Sequence, residues 1–435
     1  MNENWKLSLN IMFKGIRRFL KKTGPGVITG AADDDPSGIA TYTQTGAQFG
    51  YGQLWTAFAM LPFMIAIQEA SARIGAVAGK GLAAIIKEHY SRKVLFGVLF
   101  LILVANTINI GADLGAMGAA AHLVIPVNFT VLTIIFTVII LILEIFVSYK
   151  TYARILKWLA LSLIAYPVTV FLVNQPWGEL LRATFIPHVE LSFGFLFIIT
   201  GVLGTTISPY MFFWQASEEV EEEKEKHLIK KGIPQISKRF MRALRFDNFV
   251  GMLFSELSTW CIIVVAATVL HANGIVNVQT SAEAAQALEP LVHSFPNAGM
   301  LAKIIFSTGI IGLGLLGVPV LSASASYALS EAFNFKEGLG LKLKRAHGFY
   351  GIITIATLIG LLINFIGINP IQALVYSAVF NGVAAVPLIF LIARVARNEK
   401  IMGTYKSGIL SNVLVWITFL LMGASVVGLF YTLFV

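Results

Sequence analysis

Eleven apolar stretches, each about long enough to cross a bilayer, decide what this chain can become. A membrane helix needs roughly 20 mainly apolar residues. Candidates lie at about 24–48, 50–72, 94–121, 127–147, 155–173, 191–216, 247–270, 300–327, 348–367, 371–393 and 408–434 of the 435 residues. Only 13% of the chain is Asp, Glu, Lys or Arg, about half the share that coats a soluble protein. A single cysteine, Cys261, excludes a disulfide framework and any multi-cysteine metal centre. No His-Glu-x-x-His or Gly-x-x-x-x-Gly-Lys-Ser/Thr run occurs, so neither a zinc hydrolase nor an ATPase is expected.

The net charge of +9 has a topological origin. Lys and Arg collect on the cytoplasmic side of membrane proteins. With the N-terminus inside, 30 of the 32 fall before span 1 or around the even-to-odd connections. The exceptions are Arg182 and Lys303. The alternation predicts a multi-pass protein of a prokaryotic inner membrane, N-terminus cytoplasmic and C-terminus outside. Nothing in it calls for a nucleic-acid partner, and a monomer is expected. Residues 1–23 carry charges and one apolar cluster without the continuous core of a signal peptide, and read as an interfacial arm.

Two spans violate the rules for membrane helices. Span 1 contains Asp33-Asp34-Asp35-Pro36-Ser37-Gly38, and span 6 contains Gly204-Thr205-Thr206-Ile207-Ser208-Pro209-Tyr210. Proline removes a donor and disfavours helix at the residue before it. Unwound backbone at membrane depth survives only inside protein or along a wet cavity. The breaks lie five spans apart, an odd number, so the second half starts from the opposite side of the membrane. Paired interruptions of this kind mark an inverted-repeat transporter with its site at the midplane. The repeats would be 24–173 and 174–393, the second carrying a cytoplasmic loop at 217–246, with 394–435 supplying a loop and span 11. The first break offers carboxylate and carbonyl oxygen, and the second offers hydroxyls. Such a set suits a hard divalent cation.

At these residues the chain resembles the NRAMP (natural-resistance-associated macrophage protein) family of divalent metal transporters. The family motif Asp-Pro-Gly-Asn aligns on Asp35-Pro36-Ser37-Gly38, and Met-Pro-His on Ser208-Pro209-Tyr210, with a preceding Ala position on Thr205. Asp113-Leu114 and the run Asn369 to Leu374 match further family features. The resemblance implies an all-α LeuT-type fold with discontinuous helices 1 and 6. It also implies that a transported metal binds at Asp35, Gly38, Thr205, Ser208 and Tyr210, with Asn381 of span 10 facing the site.

Departures from the family pattern bear on selectivity. Ser208 replaces a soft thioether by a hard oxygen, and Gly38 removes a side-chain ligand and is expected to open space. Mg²⁺ keeps much of its water, so this pattern resembles the NRAMP-related magnesium transporters. The family's histidines fall on Tyr210 and Gln215, and two acidic positions on Asn106 and Ala116; no histidine lies in mid-span. Mg²⁺ or Mn²⁺ transport with weak or no proton coupling is therefore expected. The alternatives are a proton-coupled Mn²⁺/Fe²⁺ carrier and a Na⁺-coupled carrier of an organic solute. Asp34, Asp113 and Glu69 are candidate proton or structural acids. The acidic run Glu218 to Glu225 reads as a solvated helix extension, with a metal-sensing role as the alternative.

Overall fold

The computed structural model describes residues 25–147, 163–230 and 233–432. The N-terminal arm and the first part of span 5 lie outside the described residues. Fourteen helices build the body: α1 Pro25–Asp33, α2 Pro36–Phe49, α3 Trp55–Ala78, α4 Leu82–His89, α5 Arg92–His122, α6 Phe129–Phe146, α7 Ala165–Leu172, α8 Phe193–Thr206, α9 Pro209–Glu225, α10 Lys238–Val269, α11 Ala298–Phe333, α12 His347–Ile363, α13 Pro370–Arg397 and α14 Ile409–Tyr431. Short surface helices fill some connections. A two-residue pair, β1 Ile229–Lys230 with β2 Ile233–Pro234, is the one β element among the described residues.

Spans 1 and 6 are both broken. The gap between α1 and α2 falls at Asp34-Asp35, and that between α8 and α9 at Ile207-Ser208. In each case proline opens the second half-helix. The first helical position needs no donor, and proline's fixed φ suits it. The other helices mostly overrun their expected ends: span 7, expected at 247–270, begins at Lys238, and span 8 runs from Ala298 to Phe333.

The connections sort to two ends, as the charge alternation requires. At one end Arg73 of α3 pairs with Glu69 (3.0 Å) and donates to the Tyr405 carbonyl (2.7 Å), while Arg245 of α10 reaches the same Glu69 (2.9 Å). Three connections rich in Lys and Arg are thereby joined. At the other end Gln53 donates to Phe195 O (3.1 Å), His271 contacts Ala47 O (2.8 Å) and Asn369 donates to Gln279 O (2.8 Å).

Two large apolar clusters form the core, one toward each end. The basic-end cluster includes Met64, Leu99, Trp214, Leu321 and Ile392, and the other includes Tyr42, Leu54, Ile263, Phe306 and Leu374. Along α11 the membership changes between Leu313 and Leu316, and along α13 between Val375 and Ala385. Buried polar residues occupy that seam, Asp35 and Asn381 among them. On α6, by contrast, Ile134, Ile135, Val138 and Ile142 face outward. This inside-out pattern is that of a lipid-facing helix.

Candidate functional site

The site is built by the two breaks meeting. Asp35 is the N-cap of α2, and its Oδ1 accepts from Gly38 N (2.9 Å) and Ser37 Oγ (2.6 Å). Capping by a carboxylate satisfies an orphan donor and places negative charge at the positive end of the helix dipole. Its Oδ2 accepts from Asn109 Nδ2 of α5 (3.0 Å) and from Tyr210 OH of α9 (3.3 Å). Tyr210 OH also lies 3.0 Å from the Ala32 carbonyl, freed by the end of α1. Both halves of span 1, the second half of span 6 and α5 therefore converge on one carboxylate. Asp35 is only 1% exposed, so this conformation seals it from both ends.

Every hydrogen-bond partner of Asp35 is neutral. Removing a carboxylate from water costs several kcal/mol unless a charge compensates it. Among the described residues no set of three His, Cys, Asp or Glu side chains is arranged to hold a metal ion. The chemistry on offer is one carboxylate surrounded by neutral oxygen donors, which matches the preference of a hard cation.

Other expected residues fall into three groups. Thr205 joins the centre: a Cβ on Gly38 would stand 3.3 Å from Thr205 Oγ1 and 3.1 Å from the Asp33 carbonyl. The expectation that Gly38 opens space is thereby corrected, because the unwound backbone and Thr205 close upon it. Asn381 is buried in α13, and among the described residues neither its amide nitrogen nor its oxygen has a partner. Its neighbour Gly382 packs on Gly204, where a Cβ would overlap the α13 backbone. Ser208 Oγ is engaged by its own segment, 2.8 Å from Gly204 O and 2.7 Å from Thr205 O.

The acids separate by environment. Asp113 lies beside Asp35 at Gly317: a Cβ there would stand 3.1 Å from Asp35 Cβ and 3.6 Å from Asp113 Oδ2. Asp34 turns toward α10, where Ser255 Oγ lies 3.3 Å from it and 2.7 Å from Asp33. Glu69 belongs to the ion-pair clasp at the basic end and takes no part in the centre. The acidic run was expected to be solvated, yet α9 buries Glu218, Glu219 and Glu223 against its neighbours. Only one face of the run meets solvent.

Asn109, Ser377 and Ser255 were absent from the sequence reading. Ser377 of α13 donates to Asn109 Oδ1 (2.7 Å), orienting the amide that donates to Asp35. A signal for Asn109 existed: Asn106, Asn109 and Asp113 form a polar stripe at helical spacing in an apolar span. Ser255 and Ser377 carry no such pattern.

Comparison with known proteins agrees with this geometry. Residues 26–432 match the family model described as natural resistance-associated macrophage protein-like. The divalent metal cation transporter MntH of Caldanaerobacter subterraneus subsp. tengcongensis is 26% identical over 394 residues, covering 89% of this chain and 87% of its own. MntH of Klebsiella pneumoniae subsp. pneumoniae is 28% identical over 391 residues, covering 87% and 86%. Among solved structures, the Eremococcus coleocola manganese transporter superposes with a TM-score of 0.75 at 14% identity, over 94% of this chain and 86% of that one. MhsT in complex with L-phenylalanine follows the same path with a TM-score of 0.60 at 13% identity, over 94% and 98%. The fold is thus the LeuT-type inverted repeat, and with nearly its whole length matched by the family model the chain belongs to the Nramp family.

Proposed function

We propose that this chain moves divalent metal cations across the membrane as a secondary transporter or facilitator, with Mg²⁺ and Mn²⁺ favoured and little or no proton coupling. The observation that carries the reading is Asp35, a buried carboxylate whose partners are all neutral, at the meeting point of two broken helices. A cation there supplies the missing charge. Relatives bearing the name divalent metal cation transporter support the substrate class. The preference for hard ions rests on the oxygen donors around Asp35 and on Ser208 at the position where the family carries a thioether. In this reading the Lys- and Arg-rich end faces the cytoplasm. Alternating access would expose Asp35 to each side in turn as the half-helices shift.

A proteoliposome flux series with Mg²⁺, Mn²⁺, Ca²⁺ and Cd²⁺ tests it. Uptake of Mg²⁺ and Mn²⁺, lost in Asp35→Ala, is the expected result. The second reading, a proton-coupled manganese carrier, is favoured by the fold match to the Eremococcus coleocola manganese transporter. It requires Mn²⁺ and Cd²⁺ uptake without Mg²⁺, accompanied by internal acidification.

A further inference from the structure

A cleft of about 270 Å³ opens at the basic end, remote from Asp35, lined by residues of α4, α9, α11, the loop after α11 and the α3–α4 turn. Four carboxylates line it, those of Glu88, Glu221, Glu331 and Glu337, against two ammonium groups. Both ammonium groups are engaged: Lys80 pairs with Glu88 (2.6 Å) and Lys224 with Glu221 (2.9 Å). Lys87, at the margin, donates to Asn334 Oδ1 (2.9 Å) and lies 3.4 Å from the Glu331 carbonyl. Among the described residues neither Glu331 nor Glu337 has an ion pair. Glu331 is fixed by Ser217 Oγ (3.1 Å) and Ala84 N (2.9 Å), which ties α11 to α9 and α4.

Two further observations bear on the cleft. Ser330, wholly buried, lines it with an Oγ that has no partner among the described residues. Gly81 and Gly338 stand where a Cβ would overlap Glu331 and come within 2.9 Å of Glu221, so glycine permits both carboxylates their positions. Burial, and then the neighbouring Glu331 carboxylate, push Glu337 up to about 9.

We propose that this cleft is a second cation site, holding one water-retaining divalent ion that ties the basic-end termini of α4, α9 and α11 together. Among the described residues no three carboxylates are arranged to chelate a bare ion. Six waters at about 30 Å³ each need roughly 180 Å³, which the cleft provides. Mg²⁺, which dehydrates reluctantly, is the ion such a site suits. The assignment stands on carboxylates, Ser330 and cleft volume, and does not depend on transport through Asp35.

The test is Mn²⁺ binding, followed by electron paramagnetic resonance, on the purified full chain carrying Asp35→Ala. One bound Mn²⁺ per chain is expected, displaced by Mg²⁺ and by cobalt(III) hexammine, whose fixed ligands imitate a hydrated ion. Adding Glu337→Gln should weaken binding at least tenfold, and Ser330→Ala severalfold. Glu337 lies in a loop, so its substitution should leave size-exclusion behaviour unchanged even where Glu331→Gln fails to fold. The proposal is overturned if Asp35→Ala binds no Mn²⁺, if Glu337→Gln binds undiminished, or if cobalt(III) hexammine does not compete. Flux through Asp35→Ala bears only on the transport reading.

Discussion

One side chain holds the centre together at the scale of the residue, and its partners are replaceable one at a time. Asp35→Ala should abolish divalent uptake with normal insertion, whereas Asp33→Ala and Asp34→Ala, whose carboxylates turn to Ser255, should be milder. Tyr210→Phe removes one hydroxyl shared between Asp35 and the Ala32 carbonyl. A hydrogen bond to a charged group contributes about 1.5–3 kcal/mol, and 1.4 kcal/mol is tenfold in affinity. KM for Mn²⁺ should therefore move by roughly tenfold, and an unchanged KM would detach Tyr210 from the ion's surroundings. Ser208→Met tests the hard-donor argument differently. It removes a hydroxyl that donates into its own segment and leaves a thioether beside the freed carbonyls. The Cd²⁺/Mg²⁺ uptake ratio should rise about tenfold; a constant ratio would deny Ser208 any influence on selectivity.

Residue-scale legibility was uneven for a physical reason. Asp35 could be read because a charge beside a proline in an apolar span is costly and needs an explanation. Thr205 and Tyr210 rode on the family resemblance, and the structure draws both toward Asp35 or Gly38. The closure of the backbone on Gly38 and the bonds of Ser208 Oγ to its own segment could not be read, since both depend on how an unwound segment folds. Ser377 was invisible because a serine in a membrane helix ordinarily satisfies its hydroxyl on its own backbone. Its second contact, with Asn109, belongs to the fold.

At the scale of the element, α8 and α13 cross in backbone contact. A Cβ on Gly204 would overlap the Ala378 carbonyl and approach the Gly382 backbone, so glycine fixes the distance that seats Thr205. Gly204→Ala should lower the Tm of the purified protein by several degrees and depress flux, because backbone has to move and overpacking costs about 1–3 kcal/mol. Gly351→Ala in α12 is the control: nothing stands within 4 Å of its Cβ position, and alanine favours the helix by about 0.5–1 kcal/mol. Its Tm should hold or rise slightly. Equal losses in both variants would mean that the α8–α13 contact is no tighter than an ordinary helix surface. The existence of these helices was written in the apolar runs. Their overshoot at Lys238 and Phe333 was not, because hydropathy reports the depth of the apolar layer and is silent on helix that continues beyond it. The buried face of the acidic run was lost for a similar reason: six glutamates between 218 and 225 read as solvent, and only packing of α9 against α3 and α11 shows otherwise.

For the whole molecule the question is what drives the ion. The groups that carry protons in the family pattern are here Tyr210, Gln215, Asn106 and Ala116. Gln215 is occupied by Thr29 and Glu219, and Asn106 donates to the Leu321 carbonyl (2.8 Å). Among the described residues the buried acids around the centre include Asp33, Asp34, Asp113 and Glu256, and no histidine is a hydrogen-bond partner of Asp33 or Asp34. A divalent ion crossing without a proton carries two charges, so it responds to the membrane potential alone. One charge is worth about 2.3 kcal/mol per 100 mV, which gives two charges about 4.6 kcal/mol and an accumulation limit on the order of 10³-fold. Proteoliposomes held at an inside-negative 100 mV by a potassium gradient and ionophore should accumulate Mn²⁺ steeply, and clamping the potential to zero should abolish the accumulation. An inward pH gradient imposed at zero potential should leave uptake unchanged, and an internal pH dye should stay silent throughout. Uptake driven by the pH gradient alone would overturn uncoupled transport. If that uptake then disappeared in Asp113→Asn, the carboxylate beside Asp35 would be the proton carrier.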